Sequence, residues 1–190
     1  MKAEIVTIRL TGLRPLLMHA GRLADPLDAA SQDLARITGK RMKTAADHLE
    51  IARVEWHGGL WLKGGAPCIP AEALEACFIA GARSKRRGPQ AQAGMLVEEA
   101  APLHYEGSKD PKVLWDDPNF RLRVPVRVAN ARTMRTRPMF KDWHVDFDVH
   151  FLPTLLNASD ILEMFAVSGF TRGIGDWRPK FGRFAVQRLE

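Results

Sequence analysis

The sequence predicts an α+β fold, in which helices are separated by runs of antiparallel strands. Two observations carry this prediction. Residues 121–128 and 145–151 alternate apolar and polar side chains, which is the period of a half-buried strand. Residues 45–56 and 70–78 instead repeat their apolar positions at helical spacing. With 190 residues, of which 46% are hydrophobic and 26% charged, we expect a single domain over residues 1–190 with a real core.

The N-terminal part of the chain is predicted to hold one strand and a helical insertion. The strand covers residues 3–11, and an insertion of about residues 13–58 follows it. Within the insertion we expect a helix over residues 27–39. A second helix should begin at Thr44, because Thr44 and Asp47 have the spacing of a capping box.

The clearest helix begins at Ile69-Pro70, because proline suits the first helical position. Leu74, Cys77 and Phe78 recur at helical spacing and are expected to form its buried stripe.

The C-terminal half is predicted to contain more strands than helices. In order, we expect a loop over 88–94, strand pieces over 95–97 and 103–105, a loop over 106–119, strands over 121–128 and 145–151, a helix over 161–167 and a strand over 183–189. Without its insertions the chain approximates the order β-α-β-β-α-β, which is ferredoxin-like and underlies the RNA-recognition fold. We therefore expect an RRM-like antiparallel sheet with a protruding basic hairpin, a thumb over about residues 121–151.

The charge of the chain favours an anionic partner. The formal net charge is +6 and the isoelectric point is near 9.7, which suits nucleic acid or a membrane surface. The cations lie on predicted strands and loops rather than on a basic amphipathic helix, which favours nucleic acid. No apolar run has membrane-spanning length and no signal peptide is recognisable, so we expect a cytoplasmic protein without a membrane partner.

The sequence does not predict metal or cofactor chemistry. Cys68 and Cys77 have no metal or redox spacing, which indicates reduced core residues. The six histidines are scattered along the chain, so their spacing predicts no zinc site. We expect neither a cofactor nor a bound metal.

The segment from Arg121 to Lys141 is strongly basic, with six arginines, one lysine and no acidic residue. Arginine binds phosphate through two parallel hydrogen bonds and stacks on bases, so this segment is a candidate nucleic-acid surface. Its predicted binding residues are Arg121, Arg123, Arg127, Arg132, Arg135, Arg137 and Lys141, together with Trp143, whose ring is expected to wedge against bases.

An alternative role remains open for the arginines of the predicted strand 121–128. They could pair across strands with Asp146 and Asp148, at about 0.2–1 kcal/mol for each pair. The arginines within residues 132–137 have no acidic neighbour before Asp142. We therefore expect them to matter more to binding than to folding.

Two further basic clusters occur, one of Lys40, Arg41 and Lys43 and another at residues 83–87. Either cluster alone is compatible with a solvated face. Together, and without local acid, they favour an anionic partner.

A glycine-rich segment, residues 168–186, lies between the last predicted helix and the last strand. Glycine lets a backbone approach a ligand closely, and exposed N–H groups attract anions. The spacing fits neither G-x-G-x-x-G nor GK[ST], so a plain helix-to-strand connection with solvated charges is the alternative. The predicted binding residues here are Arg172, Gly173, Gly175, Trp177, Arg178 and Lys180.

The glycine-rich segment and the order of elements resemble the RAMP superfamily of CRISPR-associated RNA-binding proteins. Gly-Ile-Gly at residues 173–175, continued by Phe-Gly-Arg-Phe at residues 181–184, looks like the C-terminal loop of that superfamily. The strand leading to Pro-Leu-Leu-Met at residues 15–18 and the helix opened by Ile69-Pro70 are similar to backbone subunits of CRISPR effector complexes. The resemblance implies guide-RNA binding, copies that line up along the strand, contacts with other effector subunits and a thumb that reaches the neighbouring copy.

We expect a protein that binds single-stranded RNA, or single-stranded DNA, and oligomerises along the strand without being an enzyme. The alternative is a small metal-independent endoribonuclease of the same superfamily, with His19, His144 or His150 as general base. A protein that occupies the nucleic-acid groove of another machine is a third class, for which a basic chain has the wrong charge. RNP-type aromatic motifs are absent from the sequence, so binding is expected to rest on loops and thumb.

Overall fold

The computed structural model describes residues 2–129 and 131–189, with Val128 described through its backbone alone. Within these residues the chain forms ten strands and six α-helices. The strands are β1 (Glu4–Gly12), β2 (Leu16–Leu17), β3 (Leu62–Lys63), β4 (Ala66–Ile69), β5 (Met95–Leu96), β6 (Ala101–Pro102), β7 (Arg121–Val128), β8 (Ala131–Phe140), β9 (His144–Phe151) and β10 (Phe184–Arg188). The helices are α1 (Ala29–Thr38), α2 (Ala45–Gly59), α3 (Ala71–Ser84), α4 (Gly88–Gly94), α5 (Pro111–Asp116) and α6 (Ala158–Thr171). The mixture of helices with antiparallel sheets confirms the predicted α+β class.

The largest sheet has four antiparallel strands in the order β10-β1-β9-β5. Strand β1 is central, because it pairs with β10 over residues 8–12 and with β9 over residues 4–11. The alternation predicted for β9 is confirmed, since Val145, Phe147, Val149 and Phe151 are buried. Helices α3 and α6 pack on each other and close this core, where the Phe165 ring lies 5.1 Å from Phe78 and 5.8 Å from Phe147. The polar residues of β9 form the outer face of the sheet.

Two segments predicted as loops contain helices. Residues 88–94 form α4, in which the buried Ala91 and Gly94 pack into the core. Packing therefore overrides the weak helix propensity of the glycines at the two ends of this segment. Residues 111–116 form α5, because the Asp110 side chain accepts from the Lys112 N–H and Pro111 occupies the first turn.

The basic hairpin is shorter than predicted. Strands β7 and β8 pair antiparallel from residues 121 and 138 to residues 128 and 131, while β9 lies in the four-stranded sheet. A thumb ending at residue 151 is therefore wrong, because the segment between the two predicted strands itself forms β8 and returns the chain. Leu122, Val124 and Val126 are half-buried on one face. The alternation predicts Val128 on the same face, but its side chain lies outside the described residues. Asn130 lies outside them as well.

The helical insertion supports this hairpin from one side. The predicted capping box is confirmed, since the Thr44 side chain accepts from the Asp47 N–H and the Asp47 side chain accepts from the Thr44 N–H. Helix α2 then packs along β8. The buried Trp56 donates from Nε1 to the carbonyl oxygen of Phe120, 2.8 Å away, just before β7 begins. Among the described residues, no helix combines the length and the apolar composition needed to cross a membrane.

Candidate nucleic-acid interface

Arg123, Arg127 and Arg132 lie on one face of the β7–β8 hairpin, and we call them the arginine face. They share it because Arg127 is the direct cross-strand partner of Arg132, and Arg123 stands four positions before Arg127 on the same strand. All three are exposed. Within residues 2–129 and 131–189 none has an ion pair, and one hydrogen bond runs from Arg127 Nε to the carbonyl oxygen of Ala129 (3.3 Å). Three positive charges therefore lie together without a counter-charge from the described part of the chain.

A groove of about 520 Å³ runs between β8 and helices α1 and α2, and we call it the hairpin groove. Lys43 and Arg123 line it, as does Met134, which is 40% exposed. Strand β8 pairs with β2 only at residues 139–140, so its edge farther toward the tip faces this groove. The groove thus combines cations with an apolar surface, as base stacking beside a phosphate chain requires.

Arg135 and Arg137 lie on the opposite face of β8 and both form ion pairs. Arg135 Nη1 donates to Oε1 of Glu55 (2.7 Å), whose side chain is 3% exposed. Arg137 Nε donates to Oδ2 of Asp176 (2.8 Å), and the Arg137 side chain is 10% exposed. The expectation that these two arginines lack acidic partners is therefore wrong. Folding brings an acid from α2 and another from the glycine-rich segment to the same strand.

The glycine-rich segment folds against the chain's own backbone. The Asp176 N–H donates to the carbonyl oxygen of Leu17, 2.8 Å away. Gly175 beside it has a φ of 91°, and a Cβ there would lie 2.3 Å from the Leu17 oxygen. Gly173, with a φ of 75°, likewise faces the carbonyl oxygen of Gly182. The close approach that we expected these glycines to make toward a ligand is made toward the protein itself.

The cations of the same segment nevertheless face solvent. Arg172, Trp177 and Arg178 line a cleft of about 480 Å³, which we call the C-terminal cleft. Arg172, Arg178 and Lys180 are exposed and have no ion pair in the described part of the chain. The half-buried Trp177 ring packs near Phe181, with centroids 6.1 Å apart. This cleft therefore offers positive charge beside an aromatic ring.

The hairpin groove and the C-terminal cleft are neighbours. Arg135 lines the groove, and Arg137, roughly 7 Å along the strand, bonds to the cleft-lining Asp176. His19 lies beside both ion pairs. Its burial and then the charge of Arg137 lower its pKa below the usual value, against the opposite effect of Asp176 and Glu55. The His19 imidazole is therefore neutral at pH 7.

Two predicted binding residues are used inside the protein. Trp143 is 3% exposed, and its Nε1 donates to the carbonyl oxygen of Arg14, 3.0 Å away. The prediction that its ring wedges against bases is wrong, because the ring packs in the core over β1. The Arg121 guanidinium lies 4.7 Å from the Trp115 ring and is half-buried.

The second basic cluster is partly neutralised. Lys40 pairs with Asp47, and the hydrogen bond from Lys40 is the main reason why the pKa of that carboxyl lies well below its usual value. Arg41 is exposed and has no ion pair among the residues that the structure describes. Lys43 donates from Nζ to the carbonyl oxygen of Lys40 (2.8 Å). Lys141 donates to Oδ1 of Asn119 (2.8 Å), a neutral acceptor, and has no ion pair within the residues that the structure covers.

The cluster at residues 83–87 is also partly balanced by acid, contrary to expectation. Lys85 pairs with Glu163 and Arg87 pairs with Asp160, and both acids belong to α6. These pairs join the end of α3 to α6, so they contribute to packing of the two helices.

Cross-strand pairing of the β7 arginines with Asp146 and Asp148 does not occur. Arg9 donates from Nε and Nη2 to the two oxygens of Asp146, each at 2.7 Å. Asp148 accepts from Oγ1 of Thr7 at 2.6 Å. Both acids lie on β9, in a different sheet from β7, so neither carboxylate neutralises an arginine of the hairpin.

Sequence reasoning missed Glu55 and Asp176, which organise the hairpin from 80 and 39 residues away from their partners. No local pattern marks such distant pairs. His144 and His150 lie on the outer face of the four-stranded sheet, away from His19.

Neither a scan of protein-family models nor a search of curated proteins gives a match to this chain.

Proposed function

We propose that the chain binds single-stranded nucleic acid, RNA in preference to DNA, along the arginine face, the hairpin groove and the C-terminal cleft. The observation that carries the proposal is the cross-strand register of Arg127 and Arg132, with Arg123 on the same face and no acidic partner in the described chain. Like charges held directly opposite each other destabilise a hairpin. A phosphate backbone relieves this repulsion, and the counterions that it releases favour binding.

The neighbouring clefts provide a path for the strand beyond the arginine face. Arg123 belongs both to the arginine face and to the groove, and Arg172 and Arg178 continue the positive charge in the C-terminal cleft. Met134 and Trp177 offer surfaces on which bases can stack. The outer face of the large sheet has histidines and aspartates on β9 where an RNA-recognition sheet has aromatics, which supports binding by hairpin and loops.

We also propose a ferredoxin-like arrangement for the four-stranded sheet and kinship with the RAMP superfamily. Along the chain the four strands of this sheet are β1, β5, β9 and β10. The order β10-β1-β9-β5 therefore places the fourth of them beside the first and the first beside the third, β9. Helices α3 and α6 form the crossings, which supports a ferredoxin-like arrangement. In this proposal copies of the chain line up along guide RNA in the cytoplasm, as subunits of an effector backbone with other subunits.

Fluorescence anisotropy with a labelled single strand of about 30 nucleotides tests the binding proposal. The logarithm of affinity should fall linearly with the logarithm of salt concentration, by about 0.7 for each phosphate contact. The double substitution Arg127→Gln/Arg132→Gln should weaken binding and reduce this slope by about 1.4, because two contacts are lost.

The matched control is Arg83→Gln/Arg188→Gln, which removes the same charge from exposed arginines on α3 and β10. This control should bind almost as the wild type does. Equal weakening by both variants would leave only a general charge effect, and affinity independent of salt would exclude phosphate neutralisation.

A metal-independent endoribonuclease is the second candidate function. The observation that favours it is the neutral, half-buried His19 beside Arg135 and Arg137, since a neutral imidazole is able to take a proton from a 2′-hydroxyl. Incubation of labelled RNA with the protein in EDTA separates the two functions. Cleavage that His19→Gln abolishes supports the nuclease, whereas a stable complex without cleavage supports binding alone.

A further inference from the structure

Two histidines meet on the outer side of the molecule, away from the arginine face. His104 follows β6, His144 begins β9, and the two form an antiparallel bridge. Each backbone N–H donates to the carbonyl oxygen of the other residue, at 2.9 and 3.0 Å. Their rings are stacked, with centroids 4.7 Å apart and planes 7° from parallel. The backbone thus holds two imidazoles side by side.

A carboxylate completes the group. Asp146 lies two residues after His144, on the same outer face of β9. One ring nitrogen of each histidine and a carboxylate oxygen of Asp146 lie within 4.8 Å of one another. Arg9 holds both oxygens of Asp146 through two hydrogen bonds of 2.7 Å. This contact fixes the orientation of the carboxylate and leaves lone pairs of its oxygens free.

The donor types suit a metal ion, since two imidazoles and one carboxylate converge here. Neutral imidazole and ionised carboxylate are the forms that bind zinc, and three such ligands with an open fourth position are an established zinc arrangement.

We propose that His104, His144 and Asp146 form a binding site for Zn²⁺. At zinc–ligand distances of about 2.0–2.2 Å, tetrahedral ligand atoms lie roughly 3.4 Å apart. Closing the three donors onto an ion therefore needs only side-chain rotation, for which the exposed His104 ring has room. Arg9 acts as the outer partner that orients the carboxylate ligand. The site lies on the four-stranded sheet and is independent of the proposed nucleic-acid binding.

Isothermal titration of Zn²⁺ into the full chain near neutral pH tests the proposal. The expected result is one ion per chain with micromolar or tighter affinity. His104→Asn, which changes an exposed side chain, should weaken binding at least about tenfold, as should Asp146→Asn. Co²⁺ as a spectroscopic substitute should give the visible absorption of a tetrahedral site, and that absorption should disappear in His104→Asn.

His150→Asn is the matched control. It removes an imidazole from the same face of the same strand, where His150 faces Glu98 instead of the proposed ligands. This variant should bind Zn²⁺ as the wild type does. The proposal is overturned if the wild type takes up no Zn²⁺ at millimolar concentration, if His104→Asn binds like the wild type, or if His150→Asn weakens binding equally. Circular dichroism of each variant establishes that the fold is retained.

Discussion

Arginines at the two ends of the β7–β8 hairpin differ in whether a carboxylate pairs with them. Near the base of the β7–β8 hairpin, Arg135 and Arg137 are each held by a carboxylate from another element. Toward its tip, Arg127 and Arg132 face each other across the ladder in solvent. Arg135 and Arg137 are therefore part of the fold, whereas Arg127 and Arg132 are charges without an acidic partner in the described part of the chain.

This difference shows that the partner of a charge decides its role more than its position in a basic segment. At the base, removal of Arg135 would leave the buried Glu55 carboxylate without its counter-charge, which costs far more than the pair contributes when intact. At the tip, removal of an arginine would relieve repulsion. Variants along one strand can therefore separate folding from binding.

The largest expected effect is at the base. Arg135→Ala should lower the free energy of unfolding by about 3 kcal/mol, because Glu55 is buried and, among the described residues, keeps the Thr136 N–H as its one remaining hydrogen-bond donor. Urea denaturation followed by circular dichroism measures this change. Arg132→Ala on the same strand is the control and should stay within about 0.5 kcal/mol of the wild type.

Replacing both members of the pair sharpens the same comparison. Glu55→Gln combined with Arg135→Ala should recover part of the lost stability, because no buried charge remains. If Arg135→Ala is no less stable than Arg132→Ala, Arg135 contributes no more to the stability of the fold than Arg132 does.

A smaller loss is expected at the glycine that positions Asp176. Gly175→Ala should cost about 1–3 kcal/mol, because φ is positive and the added Cβ meets the Leu17 carbonyl oxygen. Thermal unfolding measures the loss. The Arg137–Asp176 pair should weaken with it, so the effects of Gly175→Ala and Arg137→Ala should be less than additive. Additive losses would mean that Gly175 does not position the pair.

The half-buried His19, near the base of the hairpin, should make the stability of the protein depend on pH. Burial lowers the pKa of His19 in the folded chain, so the unfolded chain takes up a proton first as the pH falls. The contribution of His19 to stability is therefore complete above its unfolded pKa of about 6.5 and is lost as the pH falls through the folded value.

His57 and His144 also have lowered pKa values, mainly through burial, and they act in the same direction. Denaturation of wild type and His19→Gln between neutral and mildly acidic pH isolates the share of His19. The variant should lose less stability than the wild type over this interval. Parallel curves for the two proteins would show that His19 titrates equally in both states.

Local patterns predicted much of the fold. The capping box at Thr44, the buried stripe of α3 and the alternation of β9 are all confirmed, because each depends on residues close in sequence. Residues 88–94 were predicted wrongly because packing makes them helical. The hairpin was predicted too long because β8 lacks the regular alternation of apolar and polar residues that marks β7 and β9.

The site was less predictable because its geometry depends on contacts between distant segments. Glu55 and Asp176 reach β8 from other elements, and His104 meets His144 across forty residues. The arginine count of residues 121–141 indicates a basic surface, but it does not distinguish a paired arginine from an unpaired one. The register of β7 with β8 places Arg135 and Arg137 on the face opposite Arg127 and Arg132, and the contacts with Glu55 and Asp176 complete the distinction.

The smallest expected effect is at the tip, and it has the opposite sign to that at the base. Arg127→Gln/Arg132→Gln should raise the free energy of unfolding by about 0.2–1 kcal/mol, because two like charges no longer face each other across the ladder. The gain should shrink as salt is added, since both residues are exposed and their repulsion is screened. Urea denaturation at low and high salt measures it, with Arg83→Gln/Arg188→Gln as the control for net charge. A variant that loses stability would show that the tip arginines are held by the fold as Arg135 and Arg137 are. A gain that equals that of the control would show an effect of net charge instead of repulsion between Arg127 and Arg132.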